Sequence, residues 1–294
     1  MRNRSTASLI AAVGAAGLIA GFLAAGIPAA GQAPSTYRAP RSAYNDGHPD
    51  LSGIWQALNT ANWDLEDHPM APPAFWQWGA IGAVPPGQSV VEGGQIPYKP
   101  EGLAQKKKNF ENRFVADAFQ RDLGDPELKC YLPGIPRAAY MPYPFQILQT
   151  PRYVLFTYEY ANSNRIVRME EPTEAPVDTW MGWSNGRWEG ETLVVDVTGL
   201  NGQAWFDRAG NFATDTLHVV ERYTRTDADH LDYQATIEDP KTFTRPWKIR
   251  MPLYRLVEKQ AQILEFRCVE FSEEALYGVL TKEGHKPNTV ATGK

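Results

Sequence analysis

The chain has 294 residues, a formal net charge of −5 and 43% apolar side chains, a composition typical of a globular protein. Its length suits one large β domain or two small ones. The acidic balance makes nucleic acid and anionic membrane surfaces poor partners, because such a protein gains no counterion-release energy from phosphates. Aromatic side chains make up 12% of the chain, and they suit ligand pockets as well as cores.

Residues 1–33 have the layout of a secretory signal peptide. Arg2 and Arg4 form a basic start, an uncharged run rich in Ala, Gly, Leu and Ile covers 9–27, and small residues follow at 28–33. The two arginines are not adjacent, which favours general export over the twin-arginine route. We predict a periplasmic or secreted mature protein without stable membrane insertion. The alternative is an uncleaved anchor, since the apolar run approaches the length that spans a bilayer.

Cys130 and Cys268 are the two cysteines of the chain. In an oxidising compartment such a pair favours a disulfide. The bond would close a loop of about 138 residues and contribute roughly 4–5 kcal/mol in the chain-entropy model. A catalytic thiol is the alternative, but no histidine lies close to either cysteine in sequence.

Residues 34–144 are predicted to form an extension in front of the main domain. A short strand begins within 50–55, and 70–94, rich in Pro, Gly and aromatic residues, is typical of a long lid or binding loop. A helix is predicted over 100–117, because proline fits the first turn of a helix and apolar residues recur at helical spacing. These apolar residues are Leu103, Phe110 and Phe114.

Residues 145–280 alternate apolar and polar side chains, which indicates antiparallel strands with one face in the core. Turn residues are predicted to separate strands at 185–186, 189–190 and 226–229. About nine strands without intervening long helices predict a mainly all-β fold, an antiparallel meander that closes into a barrel because closure removes exposed edges. The apolar positions of the last predicted strand are Leu264, Phe266 and Cys268. Residues 281–294 are predicted to form a C-terminal tail.

Two resemblances rest on longer motifs. Residues 50–55, Asp-Leu-Ser-Gly-Ile-Trp, resemble the G-x-W start of lipocalin-type barrels. Further stretches resemble an uncharacterised family of secreted bacterial proteins, which implies export but no particular reaction. These stretches are 96–98, Cys130 with 133–134 and 136–137, 149–151, 180–182, 188–196 (Trp-Glu-Gly-Glu-Thr-Leu-Val-Val-Asp), 217–222 (Leu-His-Val-Val-Glu-Arg), and 239–240 with 246–247. Where relatives often carry a His-rich segment before His218, this chain has Gly-Asn-Phe-Ala-Thr at 210–214.

Residues 182–186 match the G-x-S-x-G motif of serine hydrolases. That motif needs a following helix, and a strand is predicted instead, so a hairpin turn is the favoured interpretation. No metal site is predicted, because His218 and Glu221 are three residues apart on a strand and point to opposite faces. No cofactor is predicted either. The remaining histidines lack ligand spacing: His48, His68, His230 and His285.

Glu221 is the leading candidate for chemistry. It shares a strand face with Tyr223, and if that face points inward, a carboxylate lies inside an apolar barrel. Burial raises the pKa of a carboxyl group, which suits an acid/base or a ligand anchor. The alternatives are that the face of His218 points inward, or that Glu221 pairs structurally with an arginine such as Arg165 or Arg245.

Three functions fit these features, and the barrel cavity discriminates between them. The first is binding or processing of a small apolar or aromatic molecule in the cavity. The second is a cofactor-independent lyase, isomerase or hydrolase that uses Glu221 or His218 as acid/base, with Asp196 or Asp207 as partner. The third is a structural envelope protein with a filled barrel. The predicted ligand-binding residues are Trp183, Trp188, Trp205, Tyr223, Tyr158 and Arg137.

Overall fold

The structure is a computed structural model that describes residues 37–73, 83–115 and 123–268. Within these ranges, nine strands form one closed barrel and a single α-helix lies outside it. The mainly all-β barrel with one helix is therefore confirmed. No helix in the described part of the chain has the length and apolar character needed to cross a membrane. The predicted signal peptide and C-terminal tail fall outside the described residues.

The strands follow one another around the barrel in chain order, and β9 pairs with β1 to close it. They are β1 (Gly53–Ala57), β2 (Phe145–Gln149), β3 (Tyr153–Tyr158), β4 (Asn164–Arg168), β5 (Trp183–Glu189), β6 (Thr192–Thr198), β7 (His218–Arg225), β8 (His230–Glu238) and β9 (Trp247–Arg255). All neighbours are antiparallel except β4 and β5, which are parallel. The predicted meander is interrupted there because residues 169–182 carry the chain back along the barrel.

Strand β1 comes from the segment assigned to the N-terminal extension, outside the predicted limits of 145 and 280, and joins β2 to β9. The last described strand ends at Arg255, and 256–268 contain no strand. Residues 269–280 lie outside the described part of the chain. The strand predicted around Leu264 is therefore wrong, and the Leu264 side chain is exposed.

Residues 185–186 do not form the predicted turn. Asn185 and Gly186 lie inside β5, where Gly186 pairs with Val195. A Cβ atom on Gly186 would lie 2.5 Å from both Val167 and Met169, so this glycine permits close packing rather than a reversal of the chain. The other two predicted turns do separate strands, at 189–192 and 225–230.

The helix, α1, extends from Pro100 to Asn112, with proline in its first turn as predicted. It ends before the predicted limit of 117. Its buried residues are Gly102 and Asn109, whereas Leu103 and Phe110 are 56% and 45% exposed. The apolar face of α1 therefore points away from the core. The Nδ2 atom of Asn109 donates to the carbonyl of Gly210 at 3.1 Å and fixes this orientation.

A disulfide joins Cys130 to Cys268, as predicted, with the two Cα atoms 5.7 Å apart. Cys130 follows a short 3-10 helix, Pro126–Lys129. Near Cys268, the ring of Phe266 packs on Tyr143 and Tyr160. The bond therefore fastens the segment after β9 to the loop that precedes β2. Two further short 3-10 helices are Arg137–Ala139 and Tyr160–Asn162.

Candidate functional site

The orientation of β7 places Glu221 inside the barrel. Burial alternates along the strand, so that Glu221 and Tyr223 point inward while His218 lies on the outer wall. The side chain of Glu221 is 0% exposed. The period-two prediction that Glu221 and His218 face opposite sides is confirmed, and the inward face is that of Glu221.

Inside the barrel, Glu221 has a complete set of partners. Its Oε1 atom accepts hydrogen bonds from the hydroxyls of Tyr223 at 2.9 Å and Tyr233 at 2.8 Å. Its Oε2 atom pairs with Nη2 of Arg165 on β4. The Nε atom of Arg165 donates in turn to the hydroxyl of Ser184 at 2.8 Å. Ser184 therefore belongs to this network in mid-strand, which excludes the nucleophile-elbow geometry of the G-x-S-x-G motif.

The charges of this network balance each other. Burial lowers the pKa of Arg165, but the charge of Glu221 outweighs it, so that the net pKa of Arg165 is raised. Burial raises the pKa of Tyr158, which faces Arg165, to about 12. Burial and the charge of Glu221 raise the pKa values of Tyr223 and Tyr233 well above their usual range. The guanidinium thus stays protonated and the phenols stay neutral at physiological pH.

Large side chains occupy the barrel interior around Glu221. Tyr223 and Tyr233 have 0% of their surface exposed. Further buried inward side chains of the strands are Trp55, Phe145, Ile147, Phe156 and Tyr158. Ligand binding inside the barrel stays a prediction.

The predicted catalytic residues lie in three separate places. Glu221 is inside the barrel, whereas Nε2 of His218 contacts Oδ2 of Asp196 at 3.1 Å on the outer wall, where both side chains are half-exposed. Asp207 lies in the loop between β6 and β7 and is fully buried. The structure joins His218 to Asp196 and gives Glu221 and Asp207 different partners.

The predicted ligand-binding residues are also dispersed. Tyr158 and Tyr223 are in the barrel with Glu221. The guanidinium of Arg168 lies over the ring of Trp183, with its Cζ atom 3.4 Å from the ring centroid. The ring of Trp188 stacks on His48, with the centroids 4.9 Å apart. Trp205 lines a small cleft. The other residues that line this cleft are Ile135, Trp180, Leu200, Asn201, Gly202, Ala204, Phe206, Ala213 and Leu217.

Arg137 belongs to a buried ion cluster. It forms a bidentate pair with Asp125 at 2.9 and 3.1 Å and bonds to Glu127 at 2.7 Å. Arg208 binds the same Glu127 at 2.6 and 2.7 Å, and Nε of Arg137 donates to Asn62. Burial raises the pKa of Glu127, but the two guanidinium groups lower it to about 2. The cluster therefore holds three loops together, and each of the three guanidinium nitrogens of Arg137 donates within it.

An open groove lies outside the barrel, along the exposed face of α1. Its volume is about 590 Å³, within the range of small-molecule sites. We call it the α1 groove, and its lining residues are Asp64, Pro100, Leu103, Ala104, Lys106, Lys107, Phe110 and Ala209. The exposed side chains of Leu103 and Phe110 thus form part of a concave surface.

Behind the α1 groove lies a pair of aspartates, Asp64 and Asp207. The Nδ2 atom of Asn211 donates to both, at 3.2 Å to Asp64 and 2.6 Å to Asp207. Asp207 also accepts from the backbone N–H groups of Leu65, Ala209 and Asn211 at 2.9 to 3.1 Å. Asp207 is therefore fully occupied, while Asp64 borders the groove.

The two carboxyl groups of this pair share one electrostatic environment. Burial, reinforced by the charge of Asp64, raises the pKa of Asp207 to about 7. Burial also raises the pKa of Asp64, although the Lys106 ammonium opposes this. Lys106 itself is bound to Glu66, with Nζ and Oε2 2.7 Å apart. The α1 groove therefore combines apolar side chains with a carboxyl group that titrates closer to neutrality than an ordinary aspartate, a combination found at functional sites.

Sequence reasoning missed Asp64, Lys106 and Asn211. The apolar spacing of Leu103 and Phe110 was a signal for the helix, but it does not distinguish a core face from a groove wall. Asp207 lies close to Trp205 in sequence, whereas its partner Leu65 comes from a segment more than a hundred residues away. Comparison of the chain with protein-family models, with curated proteins and with solved structures found no match.

Proposed function

We propose that this chain is an exported protein that binds a small apolar or aromatic molecule in the α1 groove. One observation carries the proposal: the groove combines an open volume of about 590 Å³ with the exposed apolar side chains Leu103 and Phe110. Burying one such side chain against a ligand contributes about 1.5–3 kcal/mol. The Asp64 carboxyl at the wall supplies the polar contact that such sites use to orient a ligand.

Export is part of the proposal. The charge and apolar pattern of residues 1–33 supports a cleaved signal peptide. The disulfide between Cys130 and Cys268 supports an oxidising compartment, because such bonds persist in the periplasm and outside the cell. Mass spectrometry of the mature protein from a native host would show a new N-terminus near residue 33. An intact N-terminus would contradict export with cleavage.

A fluorescence titration with N-phenyl-1-naphthylamine, a neutral apolar probe, tests binding in the α1 groove. We expect Leu103→Ser and Phe110→Ser each to weaken probe binding about tenfold, since each removes one buried apolar contact. Leu148→Ser and Ile166→Ser are matched controls, because these residues are 43% and 48% exposed on the outer barrel wall. Both controls should bind as the wild type does.

The same titration separates two other functions. Binding that survives both groove variants, but is lost in Glu221→Gln, would move the site into the barrel. Absence of saturable binding would leave the structural envelope protein as the better proposal, which the large buried side chains around Glu221 support. The groove variants are therefore decisive for the placement of the site.

A further inference from the structure

We propose that the α1 groove selects organic cations, namely primary amines on an apolar or aromatic body, and that Asp64 receives the ammonium group. This inference rests on the proposed function of the groove as a binding site. It specifies the charge of the ligand and the atom that recognises it.

The charge distribution behind the groove is unbalanced. Three carboxyl groups, those of Asp64, Asp207 and Glu66, face the Lys106 ammonium. The Arg137 guanidinium also acts on Asp207, but it is bound directly to Asp125 and Glu127. Lys106 is already bound to Glu66 at 2.7 Å, and the side chains of this pair are only 17% and 23% exposed. The hydrogen bonds of the other two carboxyl groups come from neutral donors, the Asn211 amide and backbone N–H groups. A cation from the groove would offset this surplus of negative charge.

Asp64 is the carboxyl group that can bind such a cation. Its Oδ1 atom takes both of its hydrogen bonds, from the N–H of Glu66 at 3.0 Å and from Asn211 at 3.2 Å. Its Oδ2 atom has no hydrogen-bond partner among the described residues. Asp64 lines the groove, so this oxygen is available to an N–H donor of a ligand. A charge-assisted hydrogen bond to an ammonium is about twice as strong as a neutral one.

Asp207 acts as a positioning residue. It lies behind Asp64, is 0% exposed, and uses its two oxygens for four N–H donors. It cannot contact a ligand, but its charge makes a cation beside Asp64 more favourable. The selectivity therefore depends on a pair, of which only Asp64 contacts the ligand.

Lys107 places a positive charge on the same groove. It lines the solvent side and is exposed, so water screens its charge. A ligand carboxylate would gain little from it, whereas Asp64 is mostly enclosed and its charge is screened less. We therefore expect the negative charge of Asp64 to affect ligand binding more than the positive charge of Lys107.

Isothermal titration with three probes of one shape tests this inference: 1-naphthylmethylamine, 1-naphthylmethanol and 1-naphthoate at pH 7.5. We expect the amine to bind about tenfold more tightly than the alcohol, and the carboxylate most weakly. Asp64→Asn should abolish the preference for the amine while the alcohol binds as before. Asp178→Asn removes an exposed aspartate outside the groove and is the matched control, which should change none of the three affinities.

The outcomes separate this inference from the proposed function. Equal affinities for amine and alcohol, or a Lys107-dependent preference for naphthoate, would overturn the selectivity for amines while the groove stays a binding site. If none of the three probes binds, or if Leu103→Ser leaves all affinities unchanged, the proposed function itself fails.

A pH series on the wild type gives a second readout that does not need the variant to fold. The groups that face Asp64 are Asp207, Glu66, His68 and Lys106. Amine binding should weaken as the pH is lowered, because burial raises the pKa of Asp64 and its protonation removes the charge that the ammonium needs. Binding of 1-naphthylmethanol should stay constant over the same series. Parallel pH profiles for the two probes would contradict the role of Asp64.

Discussion

Arg165 on β4 and Glu221 on β7 form an ion pair inside the barrel, although two other strands separate them around the wall. Their side chains are 2% and 0% exposed. Moving two such charges out of water is costly, and only close pairing with further hydrogen bonds repays it. Ser184 and the hydroxyls of Tyr223 and Tyr233 provide those bonds. The pair therefore links strands that the backbone ladder does not join.

Glu221→Gln removes the anion of this pair and leaves the buried Arg165 guanidinium without compensation. We expect the free energy of unfolding to fall by about 3–5 kcal/mol. Urea denaturation followed by tryptophan fluorescence measures the change. The matched control is the double variant Arg165→Met with Glu221→Leu, which removes both charges and should recover most of the loss.

A different outcome would give Glu221 another role. If Glu221→Gln keeps the stability of the wild type and weakens binding of N-phenyl-1-naphthylamine, the carboxylate contacts a ligand in the barrel rather than stabilising the fold. An equal loss in single and double variants would show that the volume of the side chains matters more than their charge.

The disulfide between Cys130 and Cys268 leads to a second prediction. The native protein should show no free thiol in a thiol titration without reductant. Cys130→Ser combined with Cys268→Ser should lower the free energy of unfolding by about 4–5 kcal/mol, because the unfolded chain regains the freedom of a very long loop. Two titratable thiols in the native protein would contradict the bond. A single Cys130→Ser variant is the control for loss of the bond with one sulfur retained.

The barrel and the placement of Glu221 and His218 on opposite faces of β7 were within reach of sequence reasoning, because period-two alternation is a local property of each strand. Which of these two faces points inward was not, since that depends on how the strands close the barrel. The closing strand β1 was not, since Gly53–Ala57 pairs with Trp247–Arg255 from the other end of the fold. Nor was the parallel β4–β5 pair, because alternation within a strand says nothing of the direction of its neighbour.

The α1 groove was out of reach for a related reason. Asp64 and Asp207 belong to loops far apart in sequence, and Asn211 joins them only after the barrel has formed. The helical spacing of Leu103 and Phe110 is the same for a core face and for a groove wall. Whether these residues face the core or a groove depends on which side of α1 packs against the barrel. Here the packed side is that of Gly102 and Asn109, which is a tertiary contact.

The pair Asp64 and Asp207 predicts an unusual dependence of stability on pH. The pKa of Asp207 is raised in the folded state to about 7, from an ordinary value of 3.8. The folded protein therefore binds more protons than the unfolded chain between these values. The contribution of Asp207 to the free energy of unfolding is therefore highest below pH 4, and it falls as the pH rises towards 7.

Asp64→Asn tests the cause of this fall in unfolding free energy with rising pH. The variant removes the like charge beside Asp207 and so lowers the pKa of Asp207. We expect the variant to gain about 1–2 kcal/mol in unfolding free energy relative to the wild type between pH 5 and pH 7.5. Urea denaturation at several pH values measures this, with Asp178→Asn as the control that should run parallel to the wild type. Parallel curves for Asp64→Asn would show that the two carboxyl groups do not interact. Addition of 1-naphthylmethylamine to the wild type should raise the unfolding free energy by a similar amount. Equal gains from the variant and from the amine would show that a bound cation and the loss of one carboxyl charge relieve the same repulsion.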